Sequence, residues 1–135
     1  MATATRPRVR PLSPHLSIWK WRVHMTVSIL HRATGSTMAF GAVVLFLWWL
    51  IAAASGPDAY AVFYRVATGW FGTVVGVGLT WVFFQHMMSG IRHLVMDTGA
   101  ALEIHTSKTF ARMTFVMSVL LTVITWATIM MTKGL

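Results

Sequence analysis

His86-Met87-Met88-Ser89-Gly90-Ile91-Arg92-His93-Leu94-Val95-Met96-Asp97 closes a run, residues 66–91, in which His86 is the only ionisable side chain. About 20 residues rising about 1.5 Å each cross the roughly 30 Å hydrocarbon layer of a bilayer, so the run is long enough to span one. A histidine inside such a run is costly unless something binds it, and it marks a functional position by default. Gly90 lies one helical turn beyond His86 on the same face, where a bulky flat group can approach the backbone. His93 falls on roughly that face, and Asp97 follows it by one further turn. The plainer alternative is that His86 only bonds a carbonyl or hydroxyl of a neighbouring helix.

Two further windows, 33–57 and 113–132, are also free of charged residues. The 135 residues are 56% hydrophobic and only 10% charged, against about 25% charged in a soluble domain. The reading is an all-α membrane protein with three transmembrane helices, at about 28–55, 65–95 and 108–132, in one bundle. Residues 1–27 form a separate N-terminal segment at the membrane surface, and residues 28–135 form the three-helix anchor. No loop is long enough to hold a soluble catalytic fold, and neither a dinucleotide-binding glycine fingerprint nor a cysteine occurs. The absence of cysteine excludes disulfides, an iron–sulfur cluster held by this chain and covalently attached haem, and leaves noncovalent haem open.

The net charge of +8 follows the topology. Five of the eleven basic residues (Arg6, Arg8, Arg10, Lys20 and Arg22) precede the first span, and three (Arg92, Lys108 and Arg112) lie in the second connection. Only Arg65 belongs to the first connection and only Lys133 follows the third span. Positive segments stay inside, so the N-terminus is expected in the cytoplasm (or mitochondrial matrix) and the C-terminus outside. Nucleic-acid binding is excluded, because no basic, aromatic-bearing surface outside the membrane is large enough to track a strand. Pro7, Pro11 and Pro14 keep the start extended, and Trp19 and Trp21 beside Lys20 and Arg22 suit the membrane interface.

Ser28, Arg32 and Gly35 share one helical face, with His31 one step round. A hydroxyl, a guanidinium and an imidazole therefore meet at the mouth of the first span. The plain reading of this cluster is Arg32 snorkelling to lipid phosphate. The first span ends at Gly56-Pro57, and residues 55–65 are read as a short connection with Tyr60 and Tyr64 at the interface. Gly72 and Gly76 form a small-xxx-small pair that lets another helix pack closely. The third span carries Thr114, Ser118, Thr122 and Thr125 without a charge, which suits packing. With this topology His86 lies about 9 Å inside the cytoplasmic boundary set by Arg92, on the same side as His31 and Arg32. A neutral imidazole in a dry bundle is a good axial ligand for iron, and a nearby guanidinium pairs with carboxylates such as haem propionates. A hydroxyl and a guanidinium at the interface also suit a quinone carbonyl.

Three segments carry a family resemblance: Arg10-Pro11-Leu12-Ser13-Pro14-His15-Leu16, Ser28-Ile29-Leu30-His31-Arg32-Ala33-Thr34-Gly35, and His86-x-x-x-Gly90-Ile91-Arg92-His93-x-x-x-Asp97. In this order, over nearly the whole chain, they resemble the cytochrome b (b556) membrane-anchor subunits of succinate dehydrogenase, respiratory complex II, in the alphaproteobacterial and mitochondrial branch. The resemblance implies a complex of a flavoprotein subunit, an iron–sulfur subunit and two membrane anchors in the lipid bilayer, passing electrons from succinate to ubiquinone. His86 would be the metal ligand, one axial ligand of a haem b, with a histidine of the second anchor subunit opposite. Ser28 and Arg32 would belong to the ubiquinone site, His31 and Arg32 would lie near the propionates, and His93 and Asp97 would support that side. The implied location is the inner (cytoplasmic) membrane of a bacterium, ahead of the mitochondrial inner membrane. Such a chain has no catalytic residues of its own. Two other readings stand beside this one: the anchor of a quinol:fumarate reductase, and a purely structural anchor whose histidines only pack.

Overall fold

The computed structural model describes residues 20–133. The first resemblance segment, the three early prolines and Trp19 lie outside the described residues. Five α-helices follow one another: α1 (Val23–Thr37), α2 (Val43–Ser55), α3 (Pro57–Thr68), α4 (Trp70–Asp97) and α5 (Ile104–Lys133). A π-helical turn, Met38–Ala42, joins α1 to α2 without a break in direction, so the two make one 33-residue rod, Val23–Ser55. There is no strand among the described residues. Three helices are long and apolar enough to cross a membrane: Val23–Ser55, Trp70–Asp97 and Ile104–Thr132. At about 1.5 Å per residue the first measures about 50 Å, well beyond the roughly 30 Å hydrocarbon layer. Its basic first third is therefore surplus to crossing.

The second span begins late, at Trp70 rather than near 65, because residues 57–68 form α3; elsewhere the spans extend beyond the windows read from hydropathy, and for one reason. Hydropathy marks the part of a helix that sits in hydrocarbon, whereas backbone hydrogen bonding continues past it. α1 begins at Val23 rather than near 28, after Arg22 leaves helical geometry with φ −127° and ψ 153°. α4 runs to Asp97 and α5 starts at Ile104, so the second connection shrinks to residues 98–103. Gly99 (φ 83°) and Ala101 (φ 57°) make its left-handed turn. Arg92, Lys108 and Arg112, read as loop residues, lie on helices.

The first connection needs a correction: residues 57–68 form a helix. Gly56 ends α2 at φ 107° and ψ −179°, a region open essentially only to glycine. Pro57 then occupies the first turn of α3, Asp58 faces its N-terminus and Arg65 its last turn, all in the sense the helix dipole favours. Twelve residues give about 18 Å, too short to span. α3 folds back onto α2 through an edge-on contact of Phe63 with Trp48, ring centroids 5.0 Å apart.

α4 is the centre of the bundle, packed against both α1 and α5, which also touch one another. What is buried is mostly polar. Val27, Ala52 and Ala111 are the buried apolar residues among those described, beside Thr34, Gln85, Ser89, Arg92, Ser107, Thr114, Ser118 and Thr122. Large apolar side chains such as Phe40, Trp70 and Met131 are exposed instead. That inversion is the arrangement a chain adopts when lipid or partner helices cover its outside. Small and hydroxylated residues of α5 let it approach α4 closely, and Ser118 Oγ donates to Gln85 Oε1 across the seam at 2.7 Å.

Of the glycine pair in α4, Gly76 seats another helix as expected and Gly72 serves a different purpose. A Cβ on Gly72 would collide with the carbonyl oxygens of Val66 and Ala67, so Gly72 clears the corner between α3 and α4. A Cβ on Gly76 would meet the Trp126 ring of α5 at 3.0 Å. Trp126 in turn donates its indole N–H to Thr80 Oγ1 at 3.2 Å. Gly72→Ala should therefore force the corner open and destabilise the chain by about 1–3 kcal/mol. Gly78→Ala, whose Cβ meets nothing within 4 Å, should be neutral or slightly stabilising. Thermal denaturation in detergent separates the two, and equal effects would contradict the corner contact.

Candidate functional site

Three histidines from two helices meet near the end of the bundle that carries the start of α1 and the 98–103 connection, the basic end. His86 of α4 and His31 of α1 stack face to face, with ring centroids 4.0 Å apart and an interplanar angle of 8°. His93, two turns along α4 from His86, inclines to His31 at 5.2 Å and 58°. Helix periodicity explains the set, since residues 86 and 93 share one face of α4 and His31 lies across from both.

The hydrogen bonds of His86 fix its chemistry. Nδ1 lies 3.0 Å from the backbone carbonyl oxygen of His31 and 3.3 Å from Thr34 Oγ1. A carbonyl oxygen only accepts, so Nδ1 carries the proton. Thr34 Oγ1 gives its own proton to the Leu30 carbonyl at 2.6 Å, and so accepts from His86 as well. In the neutral ring Nε2 is then the bare nitrogen, with its lone pair available. A metal-binding histidine commonly has this form, its second nitrogen held by a carbonyl that sets tautomer and orientation. The plainer expectation for His86, a bond to a neighbouring carbonyl or hydroxyl, holds for one nitrogen and leaves the other free for a ligand.

The close approach falls at Gly35. A Cβ there would stand 2.9 Å from His86 Cε1 and 3.4 Å from Nδ1, so only glycine lets the imidazole lie against α1. Gly90, the expected place of approach for a flat group, faces His31 Cε1 at an ordinary 3.9 Å. Thr34 and Gly35 were visible in the sequence as neighbours of His31, but nothing in their spacing assigns them to His86, whose partner helix is 52 residues away in the chain for Thr34.

Ser28 and Arg32 do come together: Arg32 Nη2 donates to Ser28 Oγ at 3.1 Å, one turn apart on α1. Arg32 is otherwise exposed, as is His93, and Asp97 is exposed at the last residue of α4. Arg92, counted above only as a topological charge, is instead 7% exposed and bonded to Ser107 Oγ at 3.1 Å. Four buried polar atoms lack a hydrogen-bond partner among the described residues: His31 Nδ1, Gln85 Nε2, Ser89 Oγ and Arg92 Nε. No group of three or more His, Cys, Asp or Glu side chains with metal-binding geometry occurs among the described residues.

Residues 6–125 match the family model of the succinate dehydrogenase/fumarate reductase transmembrane subunit. The chain belongs to this family. Its relatives include the succinate dehydrogenase cytochrome b556 subunit of Paracoccus denitrificans, 37% identical over 116 residues, covering 86% of this chain and 88% of the relative. The cytochrome b556 subunit of Rickettsia felis is 36% identical over 117 residues, covering 87% and 90%. The cytochrome b560 subunit of Reclinomonas americana is 34% identical over 121 residues, covering 87% and 84%. Like the rest of the family, this chain is an all-α membrane subunit.

The local geometry of His86 makes a direct prediction. Nitrogen-15 NMR of histidine-labelled chain in lipid should show His86 as the Nδ1–H tautomer. Gly35→Ala should shift that resonance strongly, and Gly90→Ala should leave it in place. An Nε2–H tautomer, or equal sensitivity to both substitutions, would contradict the hydrogen bonding described.

Proposed function

We propose that this chain is a membrane anchor of a succinate:quinone oxidoreductase, holding haem b jointly with a second anchor and forming part of the ubiquinone-reduction site. The observation that carries the proposal is the Nδ1–H bond of His86 to the His31 carbonyl, which leaves Nε2 free to hold an iron. The fit to haem rests on further features of the chain. Gly35 gives the imidazole room, His31 covers one ring face, and the buried, unbonded His31 Nδ1 is a donor or acceptor awaiting a polar partner. The extended apolar outside of the bundle offers a surface for the second anchor, which would supply a further histidine to the haem.

When bound, the haem supplies a one-electron store within the membrane. The residues of this chain do the rest. His86 would hold the iron through Nε2, and its ring is kept from rotating by the His31 carbonyl and Thr34. His31 and Arg32 would hold the haem propionates, with His93 and Asp97 in support. Ser28 and Arg32, already hydrogen-bonded to each other, present a hydroxyl and a guanidinium to a quinone carbonyl, and the guanidinium favours the negative charge that develops there on reduction. Succinate oxidation itself would belong to the flavoprotein subunit, with an iron–sulfur subunit delivering electrons. The basic end would lie in the cytoplasm of a bacterium, on the excess of Lys and Arg there. A quinol:fumarate reductase anchor would use the same residue types; the succinate dehydrogenase names of the relatives favour the first direction.

Two measurements test this reading. A reduced-minus-oxidised optical spectrum of the purified complex should show a b-type band that His86→Leu abolishes or shifts; a band unchanged by that substitution would remove His86 as ligand. Arg32→Leu should lower quinone reduction at least tenfold while sparing succinate oxidation by a soluble artificial acceptor. A loss of tenfold corresponds to about 1.4 kcal/mol of transition-state stabilisation. Equal loss of both activities would count against a quinone role.

A further inference from the structure

The guanidinium of Arg92 is the one buried charge among the described residues, and it bonds to α5, whereas the histidine cluster joins α4 to α1. Nη2 donates to Ser107 Oγ at 3.1 Å, while Nε is buried with no acceptor. The chain has three acidic residues, Asp58, Asp97 and Glu103. Asp58 begins α3, Asp97 and Glu103 are exposed, and among the described residues none pairs with Arg92. Other basic groups gather instead: the charges of Arg22, Arg92 and Lys108 all act on His24. These groups belong to the region where α1 begins, α4 ends and α5 begins. Burying an arginine without an anion is strongly unfavourable, and removing a partner from such a group is among the most destabilising changes known. The chain supplies no carboxylate there, so an anion at Arg92 would come from outside it.

Beside Arg92 runs an apolar groove. Met88 and Ile91 of α4 and Phe110, Met113 and Met117 of α5 line a half-open cavity of about 110 Å³, in which Arg92 is the only charged residue. The lining residues recur at helical spacing on both helices, so the groove follows the α4–α5 seam from the basic end toward the middle of the span. Ile91 and Met113 are 46% and 50% exposed on the outside of the bundle. Flexible methionines suit an occupant without fixed shape. A protein carboxylate or free phosphate would answer the charge but has no use for the groove, and an isoprenoid tail would fill the groove but not answer the charge. Basic pockets between transmembrane helices that continue into apolar surface suit a lipid with a charged headgroup.

We propose that the α4–α5 groove binds one anionic phospholipid, its phosphate at Arg92 and Lys108 and one acyl chain along the methionine-lined floor. The site is separate from the haem and quinone reading and stands without it. The lipid neutralises a cation that the chain itself leaves unpaired, and it fastens the basic ends of α4 and α5 to one leaflet.

The test is native mass spectrometry of the delipidated complex titrated with phosphatidylglycerol, and separately with phosphatidylcholine. Wild type should retain one phosphatidylglycerol per chain that Arg92→Gln and Met113→Trp both lose, the first by removing the charge and the second by filling the groove with Arg92 intact. Phosphatidylcholine should not occupy the site. Equal retention by wild type and both variants would overturn the proposal, as would equal retention of the two lipids. Loss in Arg92→Gln alone, with Met113→Trp unaffected, would remove the groove from the account. Release of a partner polypeptide from Arg92→Gln with lipid retention unchanged would assign the missing anion to protein instead.

Discussion

One hydrogen bond, from Nδ1 of His86 to the main-chain carbonyl of His31, organises the functional half of this molecule. It joins two transmembrane helices across 55 residues of sequence and selects the tautomer of the imidazole. Its acceptor is unusual for a helix interior, because that carbonyl belongs to the ladder of α1. Thr34 shares the load: its hydroxyl donates to the Leu30 carbonyl one turn back and accepts from His86 Nδ1 beside the His31 carbonyl. Gly35, the next residue, removes the Cβ that would otherwise hold the ring away. Three consecutive functions, acceptor, bridge and clearance, are thus packed into one turn of α1, and the proposed ligand on α4 depends on all three.

The same economy governs the rest of the bundle. In lipid there is little hydrophobic force between helices, so close packing and polar contacts decide which faces meet. α4 and α5 meet through Gln85 and Ser118, through Thr80 and Trp126, and through Arg92 and Ser107, three polar contacts spaced along one seam. The outside is left apolar for lipid and partner helices. Buried polar atoms that remain unbonded, on His31, Gln85, Ser89 and Arg92, are concentrated toward the basic end. The stability of this chain alone is therefore lower than that of the assembly it enters, because each unbonded group costs about 1–3 kcal/mol until something satisfies it.

Much of this was legible in the sequence, and the reasons differ by element. The three spans follow from charge-free windows, since a bilayer reads hydropathy and little else. Their ends did not follow, because the helical backbone of α1, α4 and α5 continues through residues that hydropathy scores as loop. α3 was missed although Gly56-Pro57-Asp58 is a helix-start signal; the polar residues and tyrosines that follow look like an interfacial connection when only spans are sought. The grouping of His86, His93 and His31 was partly legible: periodicity on α4 gives the first two, and a shared depth brings His31 alongside. The depth of Arg92 was not, because an arginine at the end of an apolar run counts as a topological marker unless the partner helix is known. Gly35 had the converse difficulty. A glycine that clears a ring on another helix is indistinguishable in sequence from one that merely packs.

The central claim is that α1 holds His86 by Nδ1 so that Nε2 is offered to a haem iron. A high-resolution cryo-electron microscopy map of the assembled complex tests it most directly. The account predicts Nε2 of His86 in the iron's coordination shell, Nδ1 on the His31 carbonyl, and a histidine of another chain on the opposite side of the haem. A haem ligated by other residues, with the His86 ring turned away from α1, would contradict it.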